Sequence, residues 1–184
     1  MTALRDIWNL DLTAKSAKGV FTKVALRNIR EIGDEILLKK AKEVKELNDR
    51  TKELIDDMAE TMYEANGVGL AAPQVGVLKQ IIVIDVSEEN DDLHVFINPE
   101  IVKTDGEQSG YEGCLSVPGK TGIVTRPNYV MVRYLDRDLK EQVLEAEDIL
   151  ARAICHEVDH LDGRLYVDLV EGELKDIEDV QEEK

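Results

Sequence analysis

The chain has 184 residues and a formal net charge of −16, with 43% hydrophobic residues but only one Trp, five Tyr and two Phe. That length suits one domain with a real core, and so acidic a balance argues against nonspecific nucleic-acid binding through a basic face. Two cysteines make no disulfide framework, no apolar run approaches the roughly 20 residues of a membrane span, and no secretory signal is recognisable, so a reducing cytoplasm is the expected compartment.

In chain order, Val44, Leu47, Leu54, Ile55, Met58, Ala59 and Met62 form one apolar stripe, which predicts a core-packed helix. Gly67 is expected to end it, with Gly67–Gln74 as a loop leading into a strand over Gln80–Val86. Gly67 and Gly69 do not make a phosphate loop, because no lysine or third glycine follows at the required spacing and no strand precedes them. Segments 95–102 and 122–135, rich in Ile and Val, predict further strands, and His94 reads as a strand-edge histidine after the turn residues Asn90, Asp91 and Asp92. A second helix is predicted from Asp148, as N-cap, through Ile149, Leu150, Ala153, Ile154, Val158 and Leu161, with Gly163 as its stop. Glu171–Lys184 carries seven acids against two lysines and reads as a solvated, partly disordered tail. The pattern is α+β: antiparallel strands around a central helix that carries the motif described next.

His156-Glu157-Val158-Asp159-His160 uses two of the three histidines and puts a carboxylate between them. Positions four apart on a helix share a face, so both imidazoles can point at one divalent metal, with Glu157 placed to handle the proton of a metal-bound water. A third protein ligand normally completes such a site and leaves one position open. A metzincin would need histidine where Tyr166 stands, and a thermolysin-like site would draw on Glu171 or Glu173, which read as solvated charges. Cys155 points about 100° away from His156 on the helix and reads as a small buried hydrophobe. Cys114 lies in Glu112-Gly113-Cys114-Leu115-Ser116, ahead of Pro118 and Gly119, a segment suited to close backbone approach. It is the strongest third candidate, a buried inert thiol being the alternative.

Gly67-Val68-Gly69-Leu70-Ala71-Ala72-Pro73-Gln74, Glu112-Gly113-Cys114-Leu115-Ser116 and His156-Glu157-Val158-Asp159-His160 together resemble the three motifs of peptide deformylases, in family order. The resemblance runs from about Val24 to Asp168 and includes Arg27-Asn28-Ile29-Arg30, Ile84-Asp85-Val86 before Ile97-Asn98-Pro99, and Arg126-Pro127. It implies Cys114, His156 and His160 as metal ligands and Glu157 as general base and acid. Gln74 and the backbone N–H of Leu115 are implied as oxyanion donors. Gly69, Val68 and Gly113 are the implied substrate-binding positions, and Val68, Leu115 and Ile154 are apolar candidates for a side-chain pocket. The implied reaction is attack of a metal-bound water on the formyl carbon of N-formylmethionyl peptides, releasing formate and a free amino terminus. Fe2+ is the implied metal, with Zn2+, Ni2+ or Co2+ able to substitute. Nascent chains at the ribosome are the implied substrates, although the acidic tail suits docking there poorly; a monomer is expected.

On this resemblance, residues 24–168 form the catalytic domain, 1–23 an N-terminal extension or leader of unknown role containing Trp8, and 169–184 the acidic tail. Asp148 stands where many relatives have glycine, Asp138-Leu139 lacks the usual hairpin glycine, and Glu35 replaces a proline after Gly33-Asp34. Glu112 and Asp159 are expected to hydrogen-bond around the ligands. Two rival readings are a small metallopeptidase, which would seldom use a thiolate, and a structural metal module with His94 as fourth ligand.

Overall fold

A computed structural model describes residues 24–182; residues 1–23, including Trp8, and 183–184 lie outside the described residues. Helix α1 spans Asp49–Glu64, and strands β1 Gly69–Ala71, β2 Ile81–Ile84, β3 His94–Asp105, β4 Gln108–Cys114, β5 Val117–Arg126, β6 Tyr129–Leu135 and β7 Glu141–Glu147 follow. Helix α2 (Asp148–Leu161) carries the H-E-x-x-H motif, and β8 (Lys175–Asp176) and α3 (Ile177–Glu182) end the described chain. One sheet has the order β1-β2-β3-β6-β7 and the other β4-β5-β8, and every named strand pair is antiparallel. The fold is α+β, as expected.

The two helices meet across β2. Its four residues are all buried, and successive side chains point to opposite faces. Ile81 and Val83 pack with Ile55, Met58 and Met62 of α1, whereas Ile82 and Ile84 pack with Ala151, Ile154 and Cys155 of α2. A continuous Ile/Val run is what a strand covered on both sides requires. Ile154 belongs to this core and is fully buried, so the face of α2 opposite to it remains for the site.

Several local expectations are corrected. Helix α1 starts at Asp49, where Asn48 accepts from the Thr51 N–H, so Val44 and Leu47 precede the helix while still packing in its core. Asn66, with φ of 54°, supplies the left-handed residue after α1, and the Gly67 N–H bonds back to the Met62 carbonyl. Gly67 serves another contact: a Cβ there would lie 2.7 Å from the Leu115 side chain. The Gly67–Gln74 segment is no plain loop, since β1 pairs with β2 in register Gly69↔Ile84 and Ala72–Val75 make a 3-10 turn. The 122–135 segment divides into β5 and β6 at Pro127-Asn128, and β4 and β7 were not foreseen because polar residues interrupt their apolar pattern. The acidic tail is solvated, but Lys175 and Asp176 pair with Thr121 and Lys120 of β5.

Asp148 is not the cap of α2. Glu147 occupies that position without a side-chain cap bond, and Asp148 is the first helical residue, at φ of 52°. Leu139 is also left-handed, at φ of 57°. Both positions where the sequence departs from an expected glycine are therefore ones a Cβ disfavours. Asp148 is exposed, so its side chain packs little. Asp148→Gly is expected to raise stability by about 0.5–1 kcal/mol, the relief of the left-handed strain less the lost negative charge at the helix start. Chemical denaturation checks this, and a lowered midpoint would contradict it.

Candidate metal centre

Arg152, His156 and His160 recur every fourth residue of α2 and share one buried face. Opposite them, Cys114 ends β4 beside the two-residue turn Leu115–Ser116, in register with Val117. Cys114 Sγ lies 3.3 Å from His160 Nε2, which lies 3.2 Å from His156 Nε2. The donor atoms of all three residues fall within 4.8 Å of one another, a convergence no other Cys, His and acidic set reaches among the described residues. Tetrahedral coordination with bonds of about 2.0–2.3 Å needs donor separations of roughly 3.3–3.6 Å, close to these. A thiolate and two imidazoles are suitable ligands for a divalent transition metal. His94 does not join them; it begins β3 and lies 3.2 Å from Asp92 Oδ2 through its Nε2.

Charge fixes the orientation of these groups. Glu112 is buried, and its carboxylate accepts from Arg126 Nε (3.1 Å) and Nη2 (2.9 Å) and from Arg152 Nη1 (2.9 Å), and lies 3.0 Å from His156 Nδ1. Burial would raise its pKa, but the His156 and Arg126 hydrogen bonds outweigh that and hold it at about 2. With a proton on Nδ1 facing this carboxylate, His156 turns Nε2 towards the other donors. Burial opposes charge on His156 too, yet Cys114 and Glu112 raise it to about 10, whereas burial and the neighbouring His156 push His160 well below the usual histidine range. Arg126 also donates to Asp159 from Nη1 at 2.5 Å, so both acids expected to flank the ligands are hydrogen-bonded there.

Glu157 differs from the paired carboxylates Glu112 and Asp159. Its Oε2 is buried with no hydrogen-bond partner, and burial raises its pKa to about 7. A Cβ on Gly69 would collide with the Glu157 carboxylate, so glycine at 69 makes room for it. Gln74 is held by both ends of its amide. Its Oε1 accepts from the Ala71 N–H at 2.8 Å, which turns Nε2 towards Ser116 Oγ at 3.1 Å and Cys114 Sγ at 3.5 Å.

A cavity of about 460 Å3 opens beside this cluster. Val68, Gly69, Gln74, Gly113, Cys114, Leu115, His156 and Glu157 all line it, while His160 lies behind. Ile154 does not line it, contrary to expectation, because it faces the core; Ile149 and Ala153 are the apolar α2 residues on the cavity wall. Arg152 and Tyr166 were not foreseen. The spacing of Arg152, one turn before His156, was a usable signal. Tyr166 offered none: its buried ring lies 6.0 Å from that of His156 at 28°, and its hydroxyl donates to the Lys120 carbonyl at 3.0 Å.

The family described as Polypeptide deformylase matches residues 26–175. A peptide deformylase of Agathobacter rectalis is 62% identical over 161 residues, covering 86% of this chain and 100% of its own. Another, from Lachnoclostridium phytofermentans, is 58% identical over 161 residues, covering 88% and 99%. A crystal structure of a peptide deformylase from Legionella pneumophila superposes with a TM-score of 0.78 at 45% identity, covering 80% of this chain and 87% of that one. With its motifs gathered around one cleft and these relatives matched over almost their whole length, the chain belongs to the peptide deformylase family.

Proposed function

We propose that this chain is a metal-dependent hydrolase that removes the N-terminal formyl group from N-formylmethionyl peptides of newly made proteins, releasing formate. The observation that carries the reading is the convergence of the Cys114, His156 and His160 donors beside the unpartnered, buried Glu157 carboxylate. Those three residues would hold one ion, Fe2+ on the family resemblance, with Zn2+, Ni2+ or Co2+ substituting, since the donor set alone does not choose. When bound, the ion supplies Lewis acidity that activates water and polarises the formyl carbonyl.

The chain's own residues then do the rest. Glu157 accepts the proton of the attacking water and returns it to the departing amine, a task suited to a carboxyl whose pKa burial has brought to about 7. Gln74 Nε2, aimed at the Cys114 side of the cavity, and the Leu115 backbone N–H donate to the developing oxyanion. As an uncharged amide, Gln74 stabilises charge without competing as a ligand. Strand β1 ends its sheet, so its outer edge is available for main-chain hydrogen bonds to an extended peptide along Val68 and Gly69, with Gly113 across the cleft. Residues 24–168 serve as the catalytic domain, and the chain works as a cytoplasmic monomer on nascent chains. No helix among the described residues is long and apolar enough to cross a membrane.

The test is formate release from formyl-Met-Ala-Ser by protein purified anaerobically with Fe2+, with acetyl-Met-Ala-Ser as control. Formate from the first and no deacetylation of the second is the expected result; a folded, metal-loaded sample that gives no formate contradicts the reading. Glu157→Gln should keep its metal and lose about 10²–10⁴-fold in kcat, the usual worth of a positioned proton-transfer group. Near-normal turnover in that variant would remove Glu157 from the chemistry. Gln74→Glu keeps an acceptor for the Ala71 N–H but loses the donor, and should lower kcat by about 10²–10³-fold without unfolding the protein. An unchanged kcat would mean that Nε2 does not serve the oxyanion.

A further inference from the structure

We propose that Ile177, the first residue of α3, is part of the substrate cleft and gives this chain a preference for an apolar side chain beyond the formylated methionine. The inference deepens the function proposed above and rests on it. Four large apolar side chains around the cavity stay exposed: Val68 (52%), Tyr111 (43%), Ile149 (55%) and Ile177 (37%). Single exposed hydrophobes are ordinary, but several converging on one cavity mark a ligand groove. Three of them belong to segments that already flank the metal centre. Ile177 comes from the far end of the chain.

Its position is built by a succession of contacts along β5. A Cβ on Gly122 would come within 2.7 Å of Val170, so the absent side chain lets Val170 seat directly on the strand. The Glu171 N–H then donates to the Ile123 carbonyl at 2.8 Å. Strand β8 follows with the register Thr121↔Lys175 and Lys120↔Asp176, and Lys120 Nζ lies 2.8 Å from Asp176 Oδ1. The next residue is Ile177, which the ladder delivers to the cavity wall.

The sheet spacing places it relative to the reaction. Gly113, Thr121 and Lys175 form one row across β4, β5 and β8. Strands lie about 4.8 Å apart, so β8 is roughly 10 Å from the strand that ends in Cys114. With the formyl group at the Cys114, His156 and His160 donors, that separation puts Ile177 beyond the reach of the formyl group itself and beside a later part of the peptide. The partner it selects is an apolar side chain, because Tyr111 and Ile177 offer it apolar surface.

The test compares kcat/KM of the Fe2+-loaded full chain for formyl-Met-X-Ala and formyl-Met-Ala-X, with X as Leu or Ser. At one of the two positions Leu should be preferred over Ser by about fivefold, the scale expected for partial burial of an apolar side chain. Ile177→Ser should bring that ratio close to one, and Ile177→Leu should restore it. A purely structural role would change all four rates together and leave the ratio as in the unaltered chain. That outcome, or the absence of any Leu preference in the unaltered chain, overturns the inference. Formate from none of the four peptides would instead overturn the deformylase reading itself.

Discussion

Glu112 is the charge on which the geometry of the site depends, because it joins two parts of the molecule that each supply only a fraction of the candidate metal centre. Cys114 belongs to the β4–β5 hairpin, whereas His156 and His160 belong to α2, which packs on the other sheet. Two residues before Cys114, Glu112 takes hydrogen bonds from Arg126 of the hairpin and Arg152 of the helix, and meets His156 Nδ1. Asp159 returns a second carboxylate to Arg126, and Arg164 lies 2.8 Å from its other oxygen. Taking so many charges out of water is expensive, and removing one partner of a buried pair typically costs about 3–5 kcal/mol. In the arrangement seen, both oxygens of Glu112 and of Asp159 are paired, and the thiol meets the imidazoles.

Against this fully paired surround, the unpaired groups acquire meaning. Glu157 is as buried as its neighbours but has no cation or donor on Oε2, so its proton affinity is raised rather than lowered. Two carboxyls in one site are thus driven apart, Glu112 to about 2 and Glu157 to about 7. One stays charged beside His156 Nδ1, and the other has the proton affinity that the proposed transfer near neutrality needs. Gly69 serves this division by absence, leaving space for the Glu157 carboxylate, while Gly67 leaves space for Leu115.

Much of this was legible in the sequence, and the reasons for the rest are physical. The i, i+4 spacing of His156 and His160 is a local property, and the three motifs carried the family; the α+β class and the buried stripe of α1 followed from periodicity. Four kinds of feature were not local. The β4 and β7 strands are held by pairing partners and show little apolar alternation of their own. Ile154 looked eligible for the pocket because a helix pattern tells that a residue is apolar but not which of two apolar surroundings it faces. The left-handed φ at Asp148 and Leu139 was signalled only indirectly, by the absence of an expected glycine. The return of the tail to β5 was hidden by its acidity, since two ladder-paired residues look like any solvated charge run.

On the proposed function, one thiolate and two imidazoles, brought from two elements, hold a single ion. The most direct measurement is the zinc X-ray absorption fine structure of the zinc-loaded protein. One sulfur at about 2.3 Å and two histidine nitrogens at about 2.0–2.1 Å are expected, with one further light atom completing the shell. In Cys114→Ser the sulfur contribution should vanish, while in Cys155→Ala it should persist. A shell of nitrogen and oxygen alone in the unaltered protein, or a sulfur signal that follows Cys155, would show that Cys114 is not a ligand.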